Sequence, residues 1–135
     1  MSERNETMIF DETKAIYEQI ADRLCNEIIA GKYKENYRIP SVREYAITLQ
    51  VNTNTAVKAY ELLSREEVIY NKRGLGYFVS TGARKQIMKV RKREFMSKML
   101  PNLFHEMQLL GITEEEVKAQ WQQFLVNNEK NKNKL

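Results

Sequence analysis

The chain has 135 residues, of which 42% are hydrophobic and 30% charged, with a formal net charge of +4. That composition predicts one folded, soluble domain, or a small domain with an appendage. Its apolar runs are strand-sized, whereas a membrane span needs about 20 such residues. The polar start "MSERNETMIF" is unlike a signal peptide, and a cytoplasmic protein with no membrane partner is expected. A single cysteine, Cys25, excludes an internal disulfide and a cysteine metal cluster.

Residues 1–12 read as a flexible N-terminus. From Thr13 to Ala30, Ile16, Tyr17, Ile20, Leu24, Cys25 and Ile28 recur at helical spacing, with Gly31 at the expected C-terminal stop. The loop "KYKENYRIP" follows. In "SVREYAITL", Ser41 and Glu44 form a capping box, and Val42, Tyr45, Ala46 and Leu49 give a short helix its apolar face. After "QVN", a further helix is predicted from about Thr53 to Ser64, capped by Asn52, with Ala56, Val57, Tyr60 and Leu63 inward. Two short helices joined this closely make a helix-turn-helix. The period then changes. Val68-Ile69-Tyr70 and Tyr77-Phe78-Val79 favour strand, and "NKRGLG" between them favours a turn, so a hairpin wing is predicted.

Beyond Gly82 the pattern is helical again, with Ile87, Val90, Phe95, Met99, Leu103, Met107 and Leu110 at spacings of three to five. Pro101 should kink or divide this run, and Gly111 should end it. Thr113 caps a last helix carrying Val117, Trp121, Phe124 and Leu125. The polar end, 128–135, reads as a disordered tail. The expected fold is therefore mainly α with a small β-hairpin wing. A winged helix-turn-helix spans 13–82, and a helical dimerisation region spans 83–127.

Charge is unevenly distributed. Residues 1–82 hold 11 Lys and Arg against 12 Asp and Glu, whereas residues 83–135 hold 11 against 6. Between Lys72 and Arg93 every charged residue is basic, which suits an anionic partner, nucleic acid first. The first turn of the second motif helix carries Asn52, Thr53, Asn54 and Thr55. Capping needs one such residue. Four suit a groove of duplex DNA, where amides and hydroxyls meet phosphate, and Asn and Thr reach base edges. Lys58, Arg43, Ser41 and Arg38 are further candidates for DNA contact, as are Lys72, Arg73, Gly74 and Gly76 at the wing tip. The basic run Arg84 to Arg93 would add phosphate contacts.

The segments "AIYEQIADRLCNEIIAGKY", "YRIPSVREYAITLQVNTNTAVKAYELLSREEVI" and "KRGLGYFV" together resemble the GntR family of bacterial winged-helix transcription regulators. The resemblance covers about residues 15–80. The short helical remainder looks like the YtrA-type subfamily, in which such a tail serves dimerisation. Position by position, the resemblance gives Arg43 a DNA contact in the first motif helix and makes Asn52–Thr55 the reading turn. It makes Lys58 the basic residue after that turn, and Gly74 and Gly76 the wing tip. Three positions depart from the family pattern. Thr53 stands where arginine or proline is usual, Gln50 replaces the turn glycine, and Glu67 replaces the glycine before the wing.

A sequence-specific regulator is thus expected: a repressor that binds a palindromic operator as a homodimer. Phe95, Met99, Leu103, Phe104, Leu109, Trp121, Phe124 and Leu125 form the expected dimer interface. Packing of that surface onto the winged helix is the alternative. An unidentified small-molecule effector could change the angle between the two winged helices, although no effector pocket is recognisable. A winged-helix module that binds protein instead of DNA is the rival function. The sole histidine, His105, has no metal partner at ligand spacing and no nucleophile–base pair occurs, so neither an enzyme, a metal site nor a cofactor is expected.

Overall fold

A computed structural model describes Phe10 and residues 13–133, so the predicted flexible N-terminus lies outside the described residues except for Phe10. The described chain forms two compact units, the first extending through Arg91 and the second beginning at Lys92.

The first unit contains three helices and a hairpin: α1 (Ile16–Ile29), α2 (Val42–Leu49), α3 (Thr53–Arg65), β1 (Ile69–Lys72) and β2 (Gly76–Val79). The start of α4 (Ala83–Glu94) completes it. α3 is central: Ala56, Ala59, Tyr60 and Leu63 lose essentially all contact with solvent. Around them lie Ile20 and Leu24 of α1, Tyr45 and Leu49 of α2, and Val68, Ile69 and Val79 at the base of the hairpin. Burying this much aliphatic surface is the main force holding the unit together. Cys25 is part of this core, and burial pushes its thiol pKa up to about 12, so it is chemically inert.

Three helices of this unit end alike. After α1, α2 and α3, residues Gly31, Gln50 and Glu67 take φ of 87°, 58° and 61°. The next amide then reaches back five residues, from Lys32 to the Glu27 carbonyl, Val51 to Ala46 and Val68 to Leu63, at 2.9–3.0 Å. Gln50 and Glu67 therefore keep the left-handed backbone that glycine would supply, at a cost of roughly 1 kcal/mol each. The turn of the helix-turn-helix is thus as tight as a glycine version.

The hairpin is antiparallel, pairing Ile69 with Val79 and Lys72 with Gly76. The segment read as loop before Pro40 joins it: Asn36 N donates to Val79 O at 2.7 Å and Ile39 N to Tyr77 O at 3.0 Å. The outer edge of β2 is therefore covered by residues 36–39. Four residues of pairing leave no periodic signature in sequence, which is why this contact was not expected.

The winged unit also extends past Gly82. Ala83, Ile87 and Val90 are buried, and Arg91 Nη2 donates to Asn26 Oδ1 at 2.7 Å and Asp22 O at 3.3 Å. Arg91 is thereby committed to α1, whereas Arg84, Lys85, Lys89, Lys92 and Arg93 remain exposed.

The second unit holds a π-helical turn (Phe95–Met99), α5 (Leu100–Leu110) and α6 (Glu114–Asn133). The run is not divided at Pro101: the backbone stays helical from α4 through α5, with the π-helical turn just before the proline. Leu100 N bonds to Phe95 O, five residues back, and the widened turn accommodates a ring that has no amide to donate. Gly111 (φ 66°) ends α5, and the Thr113 hydroxyl accepts from Glu116 N at 3.2 Å to open α6. α6 continues through Asn133, into the stretch expected to be disordered. No glycine or proline follows Gly111, and Glu114–Glu116 at one end with Lys130 and Lys132 at the other suit the helix dipole.

Candidate nucleic-acid interface

The front of α3 is built in layers. Asn52 Oδ1 accepts from Asn54 N at 2.8 Å, so Asn52 is committed to the cap through its oxygen and keeps its amide hydrogens for another partner. Thr53, Asn54 and Lys58 are exposed, and Thr55 is half-buried. Three of these side chains therefore stand free on a helix whose inner face is locked in the core.

At the front of α2 the capping box is complete. Ser41 Oγ accepts from Glu44 N at 3.1 Å, and Ser41 N donates to Glu44 Oε1 at 2.9 Å. Donation from the Ser41 amide, then from its hydroxyl, holds the Glu44 carboxyl below its ordinary range, with a smaller effect from the Arg38 charge. To reach a phosphate the Ser41 hydroxyl must therefore release Glu44. Arg43, one position on, is exposed and forms no ion pair among the described residues.

Tyr60 fixes these elements to one another. Its hydroxyl donates to Pro40 O at 2.7 Å, tying α3 to the entrance of α2. Its ring meets that of Tyr77 on β2 edge-on at 5.1 Å, tying α3 to the wing. Sequence reading marked Tyr60 only as an inward-facing residue.

At the wing tip Lys72, Arg73, Gly74 and Leu75 are exposed. Lys72 Nζ stands 4.9 Å from the centre of the Phe78 ring. Gly76 has φ +106°, and a methyl group there would lie 3.2 Å from Arg38 Nε. Arg38 thus lies against the wing. Gly76→Ala is expected to lower stability by about 2 kcal/mol, from the backbone conformation and from displacement of Arg38. Gly74→Ala has open space around it and should cost less. Thermal melts of the two variants check this; equal losses would show that the Arg38 contact imposes nothing. Leu75, at 59% exposure, was missed by the sequence reading, although an apolar residue between two glycines was its signal.

In the second unit, all eight residues of the expected dimer interface are exposed in the single chain, from 41% at Leu125 to 68% at Leu109. Trp121 and Phe124 stack with centroids 5.7 Å apart. A recess of about 520 Å³ is lined by Pro101, Phe104, His105, Met107, Gln108, Ile112 and Glu114. Among the described residues no group of His, Cys, Asp and Glu could hold a metal ion, and no helix is long and apolar enough to cross a membrane.

A helix-turn-helix with a polar reading turn and a basic-tipped wing defines a winged-helix transcription regulator. The family described as "Bacterial regulatory proteins, gntR family" matches residues 16–79. Over 108 residues the chain is 32% identical to the HTH-type transcriptional regulator YhcF of Bacillus subtilis, covering 80% of this chain and 88% of that protein. It is also 32% identical to the HTH-type transcriptional repressor YtrA of Bacillus subtilis, covering 76% of this chain and 78% of that protein. A solved GntR-family regulator from Bacteroides thetaiotaomicron is 45% identical, with a TM-score of 0.75, over 84% of this chain and 99% of that one. This chain belongs to the GntR family of HTH-type transcriptional regulators, a family of DNA-binding regulators and not of enzymes.

Proposed function

We propose that the protein is a homodimeric repressor that places the first turn of α3 from each of two chains in successive major grooves of a palindromic operator. The exposure of Thr53, Asn54 and Lys58 on a helix anchored by Tyr60 carries this reading. Asn54 reads a base, Thr53 packs on a thymine methyl, and Lys58 meets phosphate or guanine. Arg43, Arg38 and the Ser41 hydroxyl hold the backbone at the entrance of α2, and Lys72 and Arg73 hold it at the wing. The exposed apolar side chains of the tail pair across a two-fold axis, which sets the two reading turns about one helical turn of DNA apart. Repression by occupancy accords with the name of the Bacillus subtilis relative YtrA. An effector, if the dimer takes one, would enter the recess beside His105 and favour one dimer state over the other.

The test is selection of duplexes from a random pool, followed by gel shifts at two salt concentrations. A palindrome should emerge, with retardation that falls steeply as salt rises. Asn54→Ala should relax the preference at one base pair by about 1–3 kcal/mol. Arg43→Ala should weaken every duplex alike and reduce the salt slope by about 1. Retardation unchanged in both variants would show that α3 and α2 do not face DNA, and no salt-sensitive retardation at all would favour a protein-binding module.

A further inference from the structure

We propose that Leu75 is a minor-groove wedge: an apolar side chain on the wing tip that enters the minor groove beside the half-site and loosens the stacking of one base step. The inference rests on the DNA-binding reading above. The tip is a turn closed by Leu75 N donating to Lys72 O at 2.9 Å. Glycines with positive φ stand on both sides, Gly74 at +79° and Gly76 at +106°, so Leu75 is the only side chain between them. It is 59% exposed. Around it stand three cations: Lys72, Arg73, and Arg38 against Gly76.

A lone exposed leucine is ordinary on a protein surface. This one differs in what carries it. Below the tip the hairpin is stiffened by Tyr70 stacked on Phe78 at 5.8 Å and by Lys72 over the same ring. Residues 36–39 brace the outer edge of β2. The leucine is therefore presented on a firm support. Phosphate oxygens offer a leucine nothing, whereas sugar carbons and base faces in the minor groove offer apolar contact. A tip stripped to glycine on both sides suits a groove only about 6 Å wide, and the cations suit its negative potential. Apolar wedges flanked by cations are a known way of opening a base step from this side. Pyrimidine–purine steps unstack most readily, so such a step is expected under each wing.

The experiment uses the full chain and a duplex recovered from the random pool, with 2-aminopurine replacing adenine at each flanking position in turn. Its fluorescence is quenched by stacking. On binding, wild type and Leu75→Met should raise the signal several-fold at one step in each flank, whereas Leu75→Ala and Leu75→Lys should leave it quenched. Leu75→Ala should bind about tenfold more weakly, with an unchanged melting curve because Leu75 lies outside the core. Leu75→Lys, whose added charge restores affinity without insertion, separates wedging from attraction. Wild type that binds with flat fluorescence at every flanking position overturns the wedge and leaves the DNA-binding reading intact. Failure to retard any duplex overturns that reading and the wedge with it.

Discussion

Ending the chain after Glu94 is expected to give a folded monomer that binds its operator roughly 10²- to 10⁴-fold more weakly than the full protein. The tail supplies no buried residue to the core cluster, all of whose members lie between Ile20 and Ile87. The first unit, closed by Val90 and by Arg91 on α1, should keep its cooperative melt. What it loses is the partner. With two winged helices on one scaffold, the second half-site is bound at high effective concentration, and that advantage is worth about 10²- to 10⁴-fold without any new contact. Light scattering gives the mass and gel shifts on a selected palindrome give the affinity. A truncated chain that still scatters as a dimer would remove the tail from the interface. The cut must not fall at Gly82, the apparent end of the wing. That cut would discard Ala83, Ile87 and Val90 and expose the core they cover, and burial of Ile87 alone is worth several kcal/mol. Loss of binding by such a fragment would report unfolding.

The Gly82 boundary shows where the sequence is opaque. Ile87 and Val90 read as apolar positions of a helix, but spacing does not tell what they pack on, and the six basic residues between Arg84 and Arg93 set the stretch apart from the wing. Local signals were clear wherever one residue settles one geometry: Gly31 and Gly111 ending helices, Ser41 with Glu44 starting one, Asn52 and Thr113 capping two more. The departures at Gln50 and Glu67 left the backbone unchanged, because the helix ends around them, repeated at Gly31, demand the left-handed residue whatever its side chain. The π-helical turn leaves no trace in the apolar spacing, because the steps that cross it, Phe95 to Met99 and Met99 to Leu103, are the ordinary four. Pairing of residues 36–39 with β2, and the bond from Tyr60 to Pro40, join residues with no shared period, and neither could be read from the chain. In the candidate site, residue types were legible. Their commitments were not: Ser41 and Asn52 proved to be largely engaged in capping, which leaves Thr53, Asn54 and Arg43 the freer groups.

Tyr60 should be the most costly side chain of the reading unit to lose. Tyr60→Ala is expected to destabilise the fold by about 3–5 kcal/mol, since it empties a fully buried aromatic site against Tyr45 and Tyr77. In a unit of this size that lowers the melting temperature by tens of degrees. Tyr60→Phe keeps the ring and leaves Pro40 O without its donor, costing about 1–3 kcal/mol. The two variants differ in a second respect, through pH. Burial holds the hydroxyls of Tyr60 and Tyr45 well above their ordinary pKa of 10.0, and in Tyr45 the bond to Glu27 acts in the same direction. Both are protonated in the fold, while in the unfolded chain they ionise near pH 10. The stability they confer is complete below that pH and is lost as pH rises above it, at up to about 1.4 kcal/mol per pH unit for each tyrosine. Tyr60→Phe, with one of the two groups gone, should lose stability less steeply between pH 10 and 11 than wild type, despite being weaker at neutral pH. Denaturant titrations at pH 7, 10 and 11 measure both differences. Parallel pH profiles for wild type and Tyr60→Phe would show that the hydroxyl is free to ionise in the fold, and that the bond from α3 to the entrance of α2 is not what holds the reading turn in place.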